Sequence, residues 1–498
     1  MIDISVILNS TEVVNIEVKS AQNGIPKSIW ETYSSFANTF GGTIVLGIDE
    51  DKETKEFIPV GLENPDQLLA DFWSVINNPG KVSANILLER HAYVQNYDGK
   101  DYVVIEVPRA NRQDKPLYIG QDMFRGTYRR NHEGDYHCTK EEVKAMLRDQ
   151  SDTTSDALIL ENVGLDVLDA ETIKRYRIRF ENIKTDHMWN SLPTNEFLIK
   201  IGAAKISNID GKVHPTLGGL IFFGNFMNIV DELPDYFLDY REKLSTETRW
   251  SDRITSGDGD WSGNVFDFYF KIIDRLTADV KKPFKINSDL LRDDDTPVHK
   301  ALREALANAL IHADYYGRQG IVVEKDFRNI KISNPGVFRI NVSDAIAGGV
   351  SDARNSRIFN MFSLIKVGER SGMGLCDLYH IWRENDFEEP VIEEKTEPDR
   401  ITLTLVLDVN HSIRDNGYDN QDNQQDNQDN QDNNTIALSE KESRVLKIIA
   451  EDNTVSVRKI VDKSGLTKSQ TERVIRQLKE KQYISREGST RGRWIILR

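Results

Sequence analysis

Between residues 296 and 315 (TPVHKALREALANALIHADY) apolar positions recur at the spacing of a helix. At about 100° per residue, Leu302, Ala305, Leu306, Ala309, Leu310 and Ala313 share an arc of roughly 140°, which predicts a core face. Glu304, Asn308, His312 and Tyr315 gather opposite, within about 80° of one another, where a solvated helix would carry mixed Lys and Glu. Alternation predicts strands over residues 13–19 (VVNIEVK), 43–48, 102–107 and 329–333 (NIKIS), with further strands at 116–119 and at 124–130 (FRGTYRR). Residues 26–39 read as an amphipathic helix that ends in FANTFGG. From residue 151 the chain reads as two helices (169–184 and 194–201), then a strand pair, 203–209 and 217–223, about the turn Asp210-Gly211-Lys212. A strand at 236–240 and a long helix at 264–280 follow.

The polar face of the 296–315 helix carries chemistry. A Glu able to orient a water, one turn before an Asn whose oxygen can ligate Mg²⁺, is a minimal set for holding a metal-bound nucleoside triphosphate. A buried helix whose polar residues are satisfied by neighbours is the other reading. Downstream, the 329–333 strand runs into Asn334-Pro335-Gly336, and Gly368-Glu-Arg-Ser-Gly372-Met-Gly374-Leu375 opens a helix. Glycines there let backbone N–H groups approach phosphates. ExxxN on a helix, strand-NPG and GxxxGxG before a helix, in that order, resemble the Bergerat-type ATP-binding fold of the GHKL superfamily, and within it the branch labelled as the C-terminal domain of RecG-like helicases. That resemblance spans residues 296–408. It implies ATP with Mg²⁺, Glu304 as general base, Asn308 as metal ligand, and His312, Asn334 and Gly336 at the nucleotide, with Gly368, Gly372 and Gly374 lining the phosphates. Asn334 stands where the family's adenine-reading Asp usually sits. An amide can accept from the adenine amino group, but it can also flip and donate. The identity of the nucleotide therefore stays open.

In the first 150 residues, ExxxxExK (Glu12, Glu17, Lys19), FANTFGG, the strand ending GIDED and the basic FRGTYRR fall in an order that resembles the Schlafen-type AlbA_2 domain. The resemblance implies a nucleic-acid-facing module. Some members bind DNA; in relatives three carboxylates with Mg²⁺ or Mn²⁺ cut RNA. Glu12, Glu17 and Asp49 match that set. They equally fit a surface ion pair (Glu17 with Lys19) and an acidic turn at 49–51. Arg125, Arg129 and Arg130, with Tyr128 and His132, suit phosphates and stacking or else a solvated strand face.

At 498 residues the chain exceeds one core. Its longest apolar run, 217–223, is too short to cross a bilayer, and two distant cysteines with no secretory pattern at the start fit a cytoplasmic home. The formal net charge is −16, yet residues 436–498 hold fifteen Lys plus Arg against eight Asp plus Glu, a balance of +7 that leaves −23 on the rest. A basic module is thus tethered to an acidic body by residues 415–435, an Asp/Asn/Gln tract with too little apolar surface to order itself. In the tail, Ser439 with Glu442 forms a capping-box pattern that opens a helix, and helices at 456–463 and 468–481 follow. Strands at 483–486 and 493–497 complete an order resembling bacterial winged helix-turn-helix regulators, with Lys468, Gln470, Arg473, Arg476, Arg491 and Arg493 facing DNA. The alternative is a protein-binding winged helix.

The expected architecture is a multi-domain α+β chain. An AlbA_2-like α/β domain (1–150) leads through a helical and hairpin connector (151–295) to a central Bergerat-type α/β sandwich (296–408). A linker (409–435) then precedes a C-terminal winged helix-turn-helix (436–498). No GxxxxGK[ST] loop accompanies it, so a helicase motor is not expected. The expectation is a nucleotide-responsive nucleic-acid-binding protein, a transcriptional regulator or defence component acting as a homodimer or higher homo-oligomer. Alternatives are a metal-dependent nuclease acting on RNA, tRNA or DNA and gated by the ATP unit, or a scaffold with an empty pocket.

Overall fold

A computed structural model describes residues 2–8, 15–51, 53–54, 56–132, 134–244, 249–278, 296–368 and 374–407, with 446, 448, 449, 459, 463, 475, 478, 484–487 and 493–496 of the tail. The chain forms two compact units, Met1–Asp415 and Asn416–Arg498.

The first unit holds two principal sheets. In the N-terminal one the order is Ile16–Lys19, Gly42–Leu46, Lys100–Val107, Ala92–Tyr97, and only the first pair is parallel. The alternating strand Lys100–Val107 buries Val103 and Ile105 with Ile44 and Leu46. The Ile29–Asn38 helix closes that face with Ile29, Tyr33 and Phe36, all at 0% exposure.

The second sheet has six strands in the order Asp252–Thr255, Leu238–Lys243, Ile321–Asp326, Asn329–Pro335, Asp399–Val406, Val391–Thr396. Leu238–Lys243 and Ile321–Asp326 run parallel and every other pair antiparallel. Two of its strands thus come from the stretch between 151 and 295. Across the middle, Val323, Ile332 and Leu403 stand in register and are buried. The Pro297–His312 helix packs on the Asn329–Pro335 strand between the helices Val265–Thr277 and Gly374–Glu384. Thr296 caps its start by accepting from the His299 N–H, and Pro297 takes the first-turn position where no N–H is needed. The predicted core arc of this helix is buried throughout, none of its six residues exceeding 6% exposure.

Three expected strands come out otherwise. Leu217–Phe223 is a helix, capped by Thr216, whose hydroxyl accepts from the Gly219 N–H. A fully buried apolar run has no period to distinguish helix from strand. The helix packs closely, since a Cβ on Gly219 would lie 1.9 Å from the Ala203 carbonyl oxygen. The hairpin at Asp210 is real but pairs Ala204–Ile206 with Val213–Pro215. The basic segment near 124 splits into the short helix Met123–Gly126, capped by Asp122, and the strand Tyr128–Asn131. Residues 116–119 make isolated bridges alone, Val82 to Ile119 and Tyr118 to Thr127.

In the second unit Ile448, Ile449, Ile475 and Leu478 are helical and buried, while Lys459 and Lys463 are helical and exposed. Strands Ile484–Glu487 and Arg493–Ile496 pair antiparallel. The inward residues Ile449, Ile475 and Leu478 and the two-stranded wing agree with the sequence pattern.

Candidate nucleotide site and its tie to the N-terminal domain

The inward face of Asn329–Pro335 reads Ile330, Ile332, Asn334, so an amide occupies a register that alternation reserves for core. Opposite it, the Pro297–His312 helix presents Glu304, Asn308 and His312. Between strand and helix lies a cavity of about 140 Å³ lined by those four residues and by Gly374, with Ile332, Ile401 and Leu403 as its apolar floor. Gly374 begins the Gly374–Glu384 helix, so the positive end of that helix meets the cavity. A Cβ at 374 would stand 2.8 Å from Glu304 Oε1 and 2.9 Å from Asn308 Nδ2. Glycine is what lets this backbone reach the two side chains.

The remaining wall is the 337–354 segment, which contributes Phe338, Arg339, Asp352 and Arg354. Arg354 is nearly buried, and its position follows from unmet hydrogen bonds at the end of the Pro297–His312 helix. Its Nη1 donates to the His312 carbonyl at 2.7 Å, while the Asn355 amide donates to the carbonyls of Ile311 and Ala313 at 2.9 and 2.7 Å. The other edge of the guanidinium makes a two-pronged pair with Asp149 at 2.9 and 2.8 Å. Asp149 lies near the end of the helix Lys140–Gln150. Burial works against ionising Asp149, but Arg354, Arg339 and Arg148 hold its carboxyl below the usual range. Further ties join the same two regions: Arg112 to Asp352, Arg109 to Glu394 at 2.7 Å, Arg129 to Asp399 at 2.7 Å and Arg148 to Asp314 at 2.9 Å. Burial, then the nearby Arg354 and Arg339, push the His312 imidazole down to about 4, so it is neutral near pH 7.

Other expected site residues lie elsewhere. Gly336 is beside the cavity, where a Cβ would meet Arg354 Nη1, and Gly368 packs against Ile311 and Phe359. Gly372 and Glu12 lie outside the described residues. Glu17 pairs with Lys19 at 2.9 Å and Arg130 at 3.1 Å, and Asp49 is exposed at the edge strand Ile48–Glu50. Of the three arginines in the basic cluster Arg125 is open to solvent, and so is His132. Arg129 and Arg130 are nearly buried, Arg129 held by Glu142 and Asp399 and Arg130 by Glu17 and Asp135, because their strand carries them inward. Lys468, Gln470, Arg473, Arg476 and Arg491 lie outside the described residues; Arg493 falls in the wing strand, with its side chain outside the description. Sequence reasoning missed Arg339, Asp352, Arg354 and Asp149. A sequence shows charges but not the groups that will meet them; for Arg339, Asp352 and Arg354 the available hint was their clustering between Gly336 and Asn355, and for Asp149, on the Lys140–Gln150 helix, there was none.

Residues 12–139 match the family model "Schlafen, AlbA_2", 326–405 match "Putative ATP-dependent DNA helicase recG C-terminal", and 438–493 match "MarR family". The chain therefore joins a Schlafen AlbA_2 domain, a RecG-type C-terminal module and a MarR-type winged helix. Residues 144–239 match a domain of unknown function. Among solved structures, the DIP2311 protein from Corynebacterium diphtheriae is similar at 16% identity and a TM-score of 0.40, over 97% of this chain and 92% of that one. The N-terminal domain of a RecG-related protein from Nitrosomonas europaea is similar at 30% identity and a TM-score of 0.21, over 27% of this chain and 87% of that one. No curated protein matches the chain. Among the described residues no helix is long and apolar enough to cross a membrane.

Proposed function

We propose that the central region, 296–408, is a Bergerat-type site for a nucleoside triphosphate, and that its occupancy switches the binding of DNA by the other two modules. The observation that carries this reading is convergence: Glu304, Asn308, His312, Asn334 and Gly374, spread over 71 residues, line one cavity at a helix N-terminus. Asn334, together with neutral His312, faces the base. Asn308 and Glu304, pressed against the Gly374 backbone, offer an amide and a carboxylate where Mg²⁺ with the phosphates would sit. The ion, when bound, supplies charge neutralisation. Glu304 orients and deprotonates water, and the N-terminal turn of Gly374–Glu384 offers N–H groups to phosphate oxygens.

The two residues have separable tasks. Asn308→Ala removes a ligand, so Mg²⁺-dependent nucleotide binding collapses. Glu304→Ala leaves binding in place and lowers hydrolysis by about 10² to 10⁴. Calorimetry and phosphate release on parent and variants, with thermal melts as the folding control, test both. A folded parent that binds no nucleotide at millimolar concentration with Mg²⁺ would leave the scaffold reading. Glu17's pairing with Lys19 and Arg130 weighs against the nuclease alternative. Cleavage of tRNA or DNA in Mn²⁺ that Glu17→Ala abolishes would reinstate it.

A further inference from the structure

Away from the cavity, the hairpin at Asp210 brings three potential ligands to one point. Glu161, Asp210 and His214 each offer one atom, and the three atoms lie within 4.8 Å of one another. His214 is nearly buried on the strand Val213–Pro215, and its Nδ1 lies 2.7 Å from the Val163 carbonyl oxygen. A carbonyl can only accept, so Nδ1 carries the hydrogen and Nε2 is the nitrogen turned towards the carboxylates. This is how metal-binding histidines are usually oriented, one ring nitrogen donating to a backbone carbonyl while the other faces the ion. Asp210 is held as well. One of its oxygens accepts from the Lys212 N–H at 2.9 Å, which leaves the other for His214 Nε2 at 3.0 Å. Glu161, half-buried in the loop that follows Leu160, makes no hydrogen bond or ion pair among the described residues beyond its field at His214.

We propose that Glu161, Asp210 and His214 form a site for a divalent transition-metal ion of the Zn²⁺ or Mn²⁺ class. Three protein ligands contribute one imidazole nitrogen and two carboxylate oxygens, leaving further positions to water. The imidazole selects against Ca²⁺ and Mg²⁺, which take oxygen alone. Ligands on bonds of about 2.1 Å stand roughly 3 to 3.5 Å apart, so closing on an ion asks for a shift of about 1 Å. The half-buried, unpaired Glu161 carboxylate is the group able to make it. The ion displaces the proton that His214 Nε2 carries when it pairs with Asp210. It clips the hairpin turn to the segment after Leu160, 49 residues earlier in sequence. All three ligands fall inside the 144–239 domain, away from the nucleotide residues.

The test uses the untagged full chain, stripped with chelator, titrated with Zn²⁺ by calorimetry and with Co²⁺ by its visible ligand-field bands. One equivalent should bind, with release of a proton and a rise in melting temperature. Glu161→Gln keeps shape and polarity at a half-exposed position, so the stripped variant should melt with the stripped parent while its Zn²⁺ affinity falls by about tenfold or more. His214→Gln should do the same and abolish the Co²⁺ bands. A parent that binds neither ion, or binding that survives in both variants, overturns the site and leaves a His–Asp ion pair bracing a hairpin.

Discussion

At the scale of single residues, Gly374 separates the needs of the fold from those of the cavity. It has ordinary helical geometry at a helix start, so alanine there should raise helix propensity by up to about 1 kcal/mol. Its Cβ, however, would displace the Glu304 and Asn308 side chains. Gly374→Ala should therefore melt no lower than the parent while its nucleotide affinity drops about tenfold, and calorimetry beside a thermal melt checks both halves. His312 yields a pH dependence. Its folded pKa, about 4, lies below the ordinary 6.5. Above pH 6.5 neither state holds the extra proton and its share of stability is fully present; between 6.5 and 4 the unfolded chain takes up a proton that the folded chain refuses, and stability is lost. Melts from pH 7.5 to 4.5 should fall more steeply for the parent than for His312→Gln.

At the scale of elements, the pairing of Arg354 with Asp149 fastens the 337–354 segment to the Lys140–Gln150 helix. Removing one partner of a buried pair strands the other charge, at a cost of about 3–5 kcal/mol. Asp149→Ala should lower the melting temperature and also weaken nucleotide binding, because Arg354 lines the cavity; unchanged affinity would show that the segment's other ties, among them Asn355 and the Arg112–Asp352 pair, suffice to fix it. How much of this was legible in the sequence follows from period. The strands Ile321–Asp326, Val391–Thr396 and Asp399–Val406 were not read from the sequence, whereas the Pro297–His312 helix and the Asn329–Pro335 strand beneath it announce themselves by spacing, and Asn334 by the Asn-Pro-Gly turn that ends the strand. Leu217–Phe223 did not, since an unbroken buried run carries no period and the close approach of Gly219 to Ala203 is a tertiary fact. Arg129 and Arg130 looked like a phosphate-binding stripe because a sequence shows charge but not the carboxylates that will meet it. Arg354 was invisible for a related reason: its partners are a helix end and an acid 205 residues earlier.

For the whole molecule, the switch hypothesis requires that a nucleotide at the centre be felt in DNA binding. DNA affinity of the full chain should change with ATP and Mg²⁺, and Asn308→Ala should abolish the change without altering affinity in the absence of nucleotide. If the tail reads phosphates, Arg473→Ala and Arg491→Ala should each flatten the dependence of log affinity on log salt by about one unit. Equal slopes in parent and variants would point to a protein partner instead. The six-stranded sheet has a further consequence, in the time order of synthesis. Leu238–Lys243 leaves the ribosome 78 residues before its parallel neighbour begins at Ile321, a gap of roughly 4 to 16 s at usual translation rates. Through that interval Leu238–Lys243 can pair with Asp252–Thr255 on one side, but the edge that Ile321–Asp326 will cover stays open, the kind of edge that recruits other chains. Stalled chains ending between 243 and 320 should therefore bind chaperones or aggregate, whereas chains extended past Val406 should be released soluble, and fractionating ribosome-bound intermediates would show where along the message that change occurs.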